Sequence, residues 1–139
     1  MLSGSMYEVS PDYGMITQAW NIYSFAIPVV QQFFGIRPQA YRKKVVIQPR
    51  MPEEWNQASL ENVMIADNEV SVFYEKGDGQ LKLKVEQKNP EWELEIVFPE
   101  KEDGKTCEVM ESTVEPAVND NQVVFHSKAP TTELVLKYE

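Results

Sequence analysis

The sequence has 139 residues, of which 42% are hydrophobic and 25% are charged. This balance is typical of a chain that folds around a core and not of a disordered chain. The length allows one domain of ordinary size with an additional segment. The formal net charge is −9, and the one local basic run, residues 42–44, is too short to offset it. We therefore expect no nucleic acid or other polyanion as a partner.

The sequence also argues against a membrane protein. Its longest mostly apolar run, from Ile22 to Val30, is interrupted by Ser24 and Pro28, and a membrane-spanning helix needs about 20 apolar residues. The chain does not open with a charged segment followed by an apolar core, so we expect no signal peptide. The one cysteine, Cys107, excludes an internal disulfide and is compatible with a reducing compartment, which favours the cytoplasm.

The first 35 residues predict a loop followed by one long helix. Residues 3–14 are rich in Gly, Ser, Pro and Asp, which are turn residues. Residues 15–34 predict a helix that is kinked at Pro28 and ends at Gly35 as its C-terminal cap. Its apolar side chains point in nearly all directions: Ala19, Trp20, Ile22, Tyr23, Phe25, Ala26, Ile27, Val29, Val30, Phe33 and Phe34. Such a helix must be buried on most sides. Since the sequence offers no other helix to cover it, we expect the chain to be the tail of a larger protein.

From residue 43 onwards, the apolar period changes from helical to two. A short strand is predicted at 44–48, and the alternation is clearest at 81–86 and 92–98. Gly77-Asp78-Gly79 predicts a hairpin turn. The pattern predicts a mainly β fold, an antiparallel β-sandwich over residues 43–139, with residues 1–42 as a separate unit. After the first strand, the predicted strands lie near 58–66, 69–76, 80–87, 91–98, 105–111, 121–127 and 131–138.

The loop and helix resemble the last loop and last helix of glucoamylase-like and glycogen-debranching-like glycosidases. The resemblance rests on Gly4-Ser5-Met6-x-Glu8, on Gly14 and on Gln18-Ala19-Trp20. It continues into the join between helix and β domain, and covers residues 3–75. The join is also similar to that of rhamnosidase-type enzymes, which are the near alternative. The residues that carry this second part are Phe34-Gly35-Ile36-Arg37-Pro38, Ile47-Gln48-Pro49 and Trp55.

The resemblance implies a fold and a function. These families fold as a toroid of six helical hairpins, so residues 1–42 would supply its last loop and helix, and residues 43–139 a β-sandwich that braces it. The loop glutamate is the catalytic base of an inverting hydrolysis in those families, which implies that role for Glu8. The resemblance further implies an α-linked glucan or oligosaccharide as substrate, no cofactor, and the rest of the catalytic domain as partner.

An inverting hydrolysis requires two carboxyl groups, and this chain supplies one of them. Asp12 lies in the same loop as Glu8 and is more simply explained as a turn residue. In the related families the acid lies upstream on another hairpin. We therefore expect the isolated chain to be inactive. We also expect it to self-associate through residues 15–34, whose apolar surface lacks its partners.

Each of these residues also has a simpler interpretation. Glu8 taken alone is a solvated loop glutamate. Tyr7 and Trp20 can stack on a sugar ring, although core packing explains Trp20 as well. Trp55 is expected to pack back on the join, and we place it with Trp92 in the core of the β domain. The rival function is a self-standing β-sandwich module that binds carbohydrate or another partner.

The sequence predicts no metal site. His126 and Cys107 are each the single residue of their type, and zinc requires three or four clustered ligands. A Cys–His nucleophile pair remains open from sequence alone, although the strand pattern around Cys107 is typical of packing. The acidic residues on the predicted strand faces are interpreted as solvated surface, and no calcium-loop motif accompanies them.

Overall fold

The computed structural model describes residues 26–139. This part begins with a helical segment whose last turns, Pro28–Phe33, are π-helical. A 3₁₀ turn, Ala40–Arg42, separates the first two strands. The eleven strands of the described part are β1 Ile36–Gln39, β2 Lys44–Ile47, β3 Gln57–Ile65, β4 Asn68–Gly77, β5 Gln80–Gln87, β6 Glu93–Pro99, β7 Lys101–Glu102, β8 Lys105–Ser112, β9 Pro116–Asn119, β10 Gln122–Ser127 and β11 Thr131–Tyr138.

The strands form two sheets. One has five strands in the order β1-β2-β6-β10-β9, and the other has six in the order β3-β4-β5-β11-β8-β7. All pairings are antiparallel except that of β2 with β6, which is parallel. Buried residues from both sheets make one hydrophobic core. The predicted mainly β, antiparallel sandwich is therefore confirmed, with one parallel contact where the chain returns to the first sheet after forming β3, β4 and β5.

Strand alternation determines which side chains enter the core. In β6, Leu94 and Ile96 are fully buried, while Glu93 and Glu95 face outwards. In β5, Leu83 and Val85 are likewise buried. This pattern is the one that period-two alternation predicts for a sheet with one face on a core and one towards water.

The predicted hairpin at Gly77-Asp78-Gly79 is also confirmed. The strands β4 and β5 are joined by Asp78 and Gly79, whose φ values are 51° and 74°. Positive φ at both central residues is the requirement of a type I′ turn, which matches the twist of the flanking strands.

Gly35 ends the helical segment, as predicted. Its φ is +64°, and a Cβ built on it would lie 1.9 Å from the Gln48 carbonyl oxygen, so no other residue fits there. The Gln48 N–H donates to the Gly35 carbonyl at 3.2 Å, and the Arg50 N–H donates to the Phe33 carbonyl at 2.7 Å. The end of the helical segment is therefore fixed to the chain that follows β2. The rest of the predicted helix, residues 15–25, and the predicted loop, residues 3–14, lie outside the described residues.

The structure differs from the sequence predictions at its short strands and at one tryptophan. The first sheet begins at β1, before residue 43, and the sequence did not predict β1, β7 or β9, which have four residues or fewer and lack the apolar run of β2. Trp55 was expected in the core, but 40% of it is exposed. It contacts Phe33 edge-to-face at a centroid distance of 5.3 Å, so it does pack on the join. Within residues 26–139, no helix is long and apolar enough to cross a membrane.

Candidate functional site

The family resemblance assigns catalysis to Glu8, and the stacking of aromatic rings on sugars makes Tyr7 and Trp20 the predicted substrate contacts. All three lie outside residues 26–139, so their roles stay predictions. The described residues do contain other groups of polar side chains, and two of these groups lie at the start of β6.

The first group lies on the outer face of the five-stranded sheet. It consists of Lys44, Glu93, Glu95 and His126, which we call the sheet-face cluster. Lys44 in β2 is opposite Glu93 in β6, and Glu95 is opposite His126 in β10. Because side chains alternate along each strand, this register places all four on the same face.

Two carboxylates lie between two nitrogen-bearing side chains in the sheet-face cluster. His126 Nδ1 is 3.2 Å from Glu93 Oε1 and 3.9 Å from Glu95 Oε2. Lys44 Nζ is 3.6 Å from Glu93 Oε1 and forms a close ion pair with Glu95 Oε2. The hydrogen bond to Glu95 is the main cause that raises the pKa of Lys44 above its ordinary value of 10.5. Lys44 is therefore a charged ammonium group at neutral pH.

A cleft of about 200 Å³ opens beside the cluster. Glu95 and His126 line one side of it, and the residues that line the rest come from β9, β10 and the turn between them: Ala117, Asn119, Asp120, Gln122 and Val124. The side chains of Glu93 and Glu95 are 35% and 23% exposed, and that of His126 is 51% exposed. The cluster is thus accessible to a solute without rearrangement of the fold.

The second group closes one end of the sandwich, and we call it the interior network. Trp92 is fully buried, and its Nε1–H donates to Asp67 Oδ1 at 2.8 Å. Asn89 Nδ2 donates to the other oxygen of Asp67, Oδ2, at 3.0 Å. The members of the network are Asp67, Asn68, Gln87, Asn89 and Trp92.

Gln87 joins this network to the loop between β10 and β11. Its Nε2 donates to the carbonyl oxygens of Trp92 and Ala129, at 3.2 Å each, and its Oε1 accepts from Asn68 Nδ2 at 3.1 Å. Both side chains are buried, Gln87 at 4% and Asn68 at 1% exposure. Buried amides with satisfied partners fix the relative positions of the loops that they join. The interior network is therefore a structural element.

A second cleft, of about 240 Å³, lies on the outer face of the six-stranded sheet. Both carboxylates among its lining residues are paired with lysines: Glu69 with Lys88 at 2.6 Å and Glu86 with Lys84 at 2.7 Å. Among the described residues, its lining includes no aromatic side chain. The described residues therefore offer no aromatic ring in this cleft on which a sugar could stack.

Cys107 and His126 do not form a nucleophile pair. Cys107 lies in β8 of the six-stranded sheet and packs against the core, whereas His126 faces outwards from the five-stranded sheet. Burial raises the pKa of the Cys107 thiol above its ordinary value of 9.0. Its neighbour Tyr138 also has a raised pKa, mainly because of burial, and donates its hydroxyl hydrogen to the Pro99 carbonyl at 3.1 Å. Cys107 is thus a partly buried residue that packs against the core.

The sequence predicted no cluster of metal-ligating residues, but the sheet-face cluster brings three such residues together. Glu93, Glu95 and His126 each offer a ligand atom, and these atoms lie within 4.8 Å of one another. The two glutamates at positions i and i+2 were visible in the sequence as one strand face. The position of His126 opposite Glu95 depends on the register of β10 against β6, which the sequence does not reveal.

Comparison with known proteins gives similarity of fold alone. No protein-family model matches the sequence, and no curated protein sequence matches it significantly. The fold is similar to part of the α-L-rhamnosidase from Dictyoglumus thermophilum, with a TM-score of 0.57 and 14% sequence identity. The match covers 78% of this chain but 13% of that one, so this chain corresponds to a small part of that protein. These comparisons do not support the glucoamylase-like assignment. They show that a segment of a rhamnosidase has a β fold similar to that of this chain.

Proposed function

We propose that the chain is the C-terminal part of a glycoside hydrolase, in which the β-sandwich braces a helical catalytic domain. The observation that carries this proposal is the fold similarity to a segment of an α-L-rhamnosidase, which covers 78% of the chain. The sequence resemblance at the join, residues 34–55, leads independently to the same class of enzyme. The matched segment makes up 13% of that rhamnosidase, so the proposal places this chain in a larger protein whose active site needs further residues.

The geometry of the join supports a bracing role. Backbone hydrogen bonds from Arg50 to Phe33 and from Gln48 to Gly35 hold the end of the helical segment on the sandwich. The backbone of Gly35 approaches that of Gln48 so closely that a residue with a Cβ would not fit at this position. Because the C-terminal end of the helical segment is fixed on the sandwich, the proposed helical domain that contains the rest of this helix would be held in a defined position relative to the sandwich.

Apolar side chains remain exposed at the same join. Ile27 is 41% exposed and Trp55 is 40% exposed, and the half-buried Val29 and Val30 lie on the helical segment between Ile27 and Phe33. Neighbouring exposed apolar groups favour contact with another apolar surface. The proposed partner is the remaining helical domain of the same polypeptide. In its absence, a second copy of the chain would associate through this surface.

The proposed chemistry places one of two catalytic carboxyl groups in this chain. Glu8 would take a proton from water as the water oxygen attacks the anomeric carbon. The glycosidic bond breaks, and a carboxylic acid elsewhere in the protein donates its proton to the leaving oxygen. Tyr7 and Trp20 are the proposed aromatic contacts with the sugar. The proposed substrate is an α-linked glucan or oligosaccharide, with an α-L-rhamnoside as the near alternative, and no cofactor is needed.

The test uses the protein with its natural upstream sequence and compares Glu8→Gln with wild type. The amide keeps the shape of the side chain but cannot accept a proton, so we expect kcat to fall by several orders of magnitude with KM little changed. Azide, which needs no deprotonation, should restore turnover and give a glycosyl azide of inverted configuration. Asp12→Asn is the matched control in the same loop and should retain near-normal activity. Near-normal turnover in Glu8→Gln would place the base elsewhere, and an upstream sequence without paired helices would refute the assignment of the chain.

A further inference from the structure

We propose that the sheet-face cluster binds a first-row transition-metal dication of the Zn²⁺ class, with Glu93, Glu95 and His126 as its ligands. This site lies in the sandwich and is independent of the catalytic role proposed for Glu8. It would take its metal from solution through the open side of the cluster.

The ligand atoms are close to the separations that a metal ion requires. A Zn²⁺ ion binds imidazole nitrogen and carboxylate oxygen at about 2.0–2.2 Å, which places the ligand atoms about 3–3.5 Å apart. His126 Nδ1 lies 3.2 Å from Glu93 Oε1 and 3.9 Å from Glu95 Oε2. The three ligand atoms lie within 4.8 Å of one another, so metal binding requires the glutamate side chains to rotate closer to His126. An imidazole among carboxylates favours Zn²⁺, Cu²⁺ or Ni²⁺ over Mg²⁺ and Ca²⁺.

The backbone fixes the three ligands relative to one another. Glu93 and Glu95 lie two residues apart on β6, and His126 lies directly opposite Glu95 on the hydrogen-bonded neighbour β10. Sites on paired strands keep their geometry better than sites on loops. The adjoining cleft, which Asp120 and Asn119 also line, leaves space for the water molecules or small ligand that would complete the coordination.

Lys44 is the cation that a metal ion must displace. It bonds to both carboxylates, and with a neutral imidazole the cluster of four side chains keeps a net charge of −1. Lys44 thereby holds the two glutamates close together, and its flexible side chain can turn towards solvent when a dication takes its place. Two positive charges on one ion neutralise the two carboxylates fully. This competition predicts that removal of Lys44 strengthens metal binding, whereas removal of a purely structural lysine would not.

The experiment follows the single histidine of the sequence by NMR, since the chain contains one histidine, His126. Zn²⁺ is added to the metal-free 139-residue chain that carries ¹⁵N-labelled histidine. We expect the imidazole nitrogen signals to shift and to saturate at one Zn²⁺ per chain. Glu95→Gln should lower the affinity by at least about 10-fold, the loss typical when even a supporting group of a metal site is removed. Lys44→Met should raise it.

Two matched controls test whether Zn²⁺ binds at other potential metal ligands of the chain instead of at this site. Glu86→Gln removes a strand-face glutamate of the other sheet that is likewise paired with a lysine, Lys84, and Cys107→Ser removes the only thiol. Both should leave the Zn²⁺ affinity unchanged. Imidazole signals that do not move at millimolar Zn²⁺, an affinity that Glu95→Gln leaves unaltered, or a Lys44→Met variant that binds no more tightly would each overturn the proposal.

Discussion

Two polar networks begin at neighbouring residues of this chain and have opposite properties. Trp92 belongs to the interior network, and Glu93, the next residue, belongs to the sheet-face cluster. Both networks join strands or loops that are distant in sequence. Trp92 is fully buried, while the side chain of Glu93 is 35% exposed. Three of the five members of the interior network are buried, Asn68, Gln87 and Trp92, whereas every side chain of the sheet-face cluster is partly exposed.

The energetic consequence follows from solvation. Removal of one partner from a buried hydrogen-bonded pair leaves a polar group without water, which costs about 1–3 kcal/mol. A surface ion pair contributes about 0–1 kcal/mol, because water and ions replace the lost partner. The interior network thus fixes the fold, whereas the sheet-face cluster can exchange its cation at little cost.

The largest effect is expected for Trp92→Ala. Trp92 is 0% exposed and also donates to Asp67, so its truncation should lower the free energy of unfolding by about 3–5 kcal/mol. The matched control is Trp55→Ala, because Trp55 is 40% exposed. Its loss should cost clearly less, because much of its surface is already in water; the edge-to-face contact with Phe33 contributes about 0.5–1.5 kcal/mol beyond the area that Trp55 buries. Urea unfolding followed by circular dichroism measures both, and equal losses would refute the distinction.

A smaller effect is expected for Gln87→Leu, which keeps the size of the side chain but removes its polar atoms. The carbonyl groups of Trp92 and Ala129 and the amide of Asn68 would each lose a partner. We expect a loss of about 1–3 kcal/mol in the free energy of unfolding. Gln57→Leu, at an exposed position of β3, should have no measurable effect. A Gln87→Leu variant as stable as wild type would show that these hydrogen bonds do not contribute to the free energy of unfolding.

The parts of the molecule that could be predicted from the sequence are those governed by local pattern. Alternation in β5 and β6 predicted which of their residues enter the core, and Gly77-Asp78-Gly79 predicted its hairpin, because neighbours in sequence determine both. Gly35 was also correctly placed as the end of the helical segment. In each case the signal lies in neighbouring residues of one strand, one turn or one helix end, although Gly35 also contacts Gln48 beyond β2.

The polar networks could not be predicted, because long-range pairing creates them. Trp92 and Asp67 are 25 residues apart, and His126 and Glu93 are 33 residues apart. Their meeting depends on the order and register of strands, for which a single sequence has no signal. The prediction that Trp55 lies in the core was wrong for a related reason. The hydrophobicity of a tryptophan predicts that it packs against other apolar groups, but it does not predict how much of the ring they cover.

The smallest effect is expected for Lys44→Met, measured with a chelator present. Lys44 lies between two carboxylates on a face that remains partly exposed. Its replacement should lower the free energy of unfolding by at most about 1 kcal/mol at pH 7. Lys88→Met is the matched control, because the Lys88 side chain is 72% exposed in its pair with Glu69. That change should have no measurable effect on stability.

The pH dependence of this difference identifies its cause. The hydrogen bond to Glu95 raises the folded-state pKa of Lys44 above 10.5, so the folded state holds this proton more tightly than the unfolded state does. The stabilisation by Lys44 is therefore complete below pH 10.5 and is lost as the pH rises through the folded-state pKa. The other ionisable groups of the chain are present in both proteins, so their contributions cancel when Lys44→Met is subtracted from wild type. A difference that persists undiminished above that pKa would mean that Lys44 stabilises the sheet by packing and not by charge.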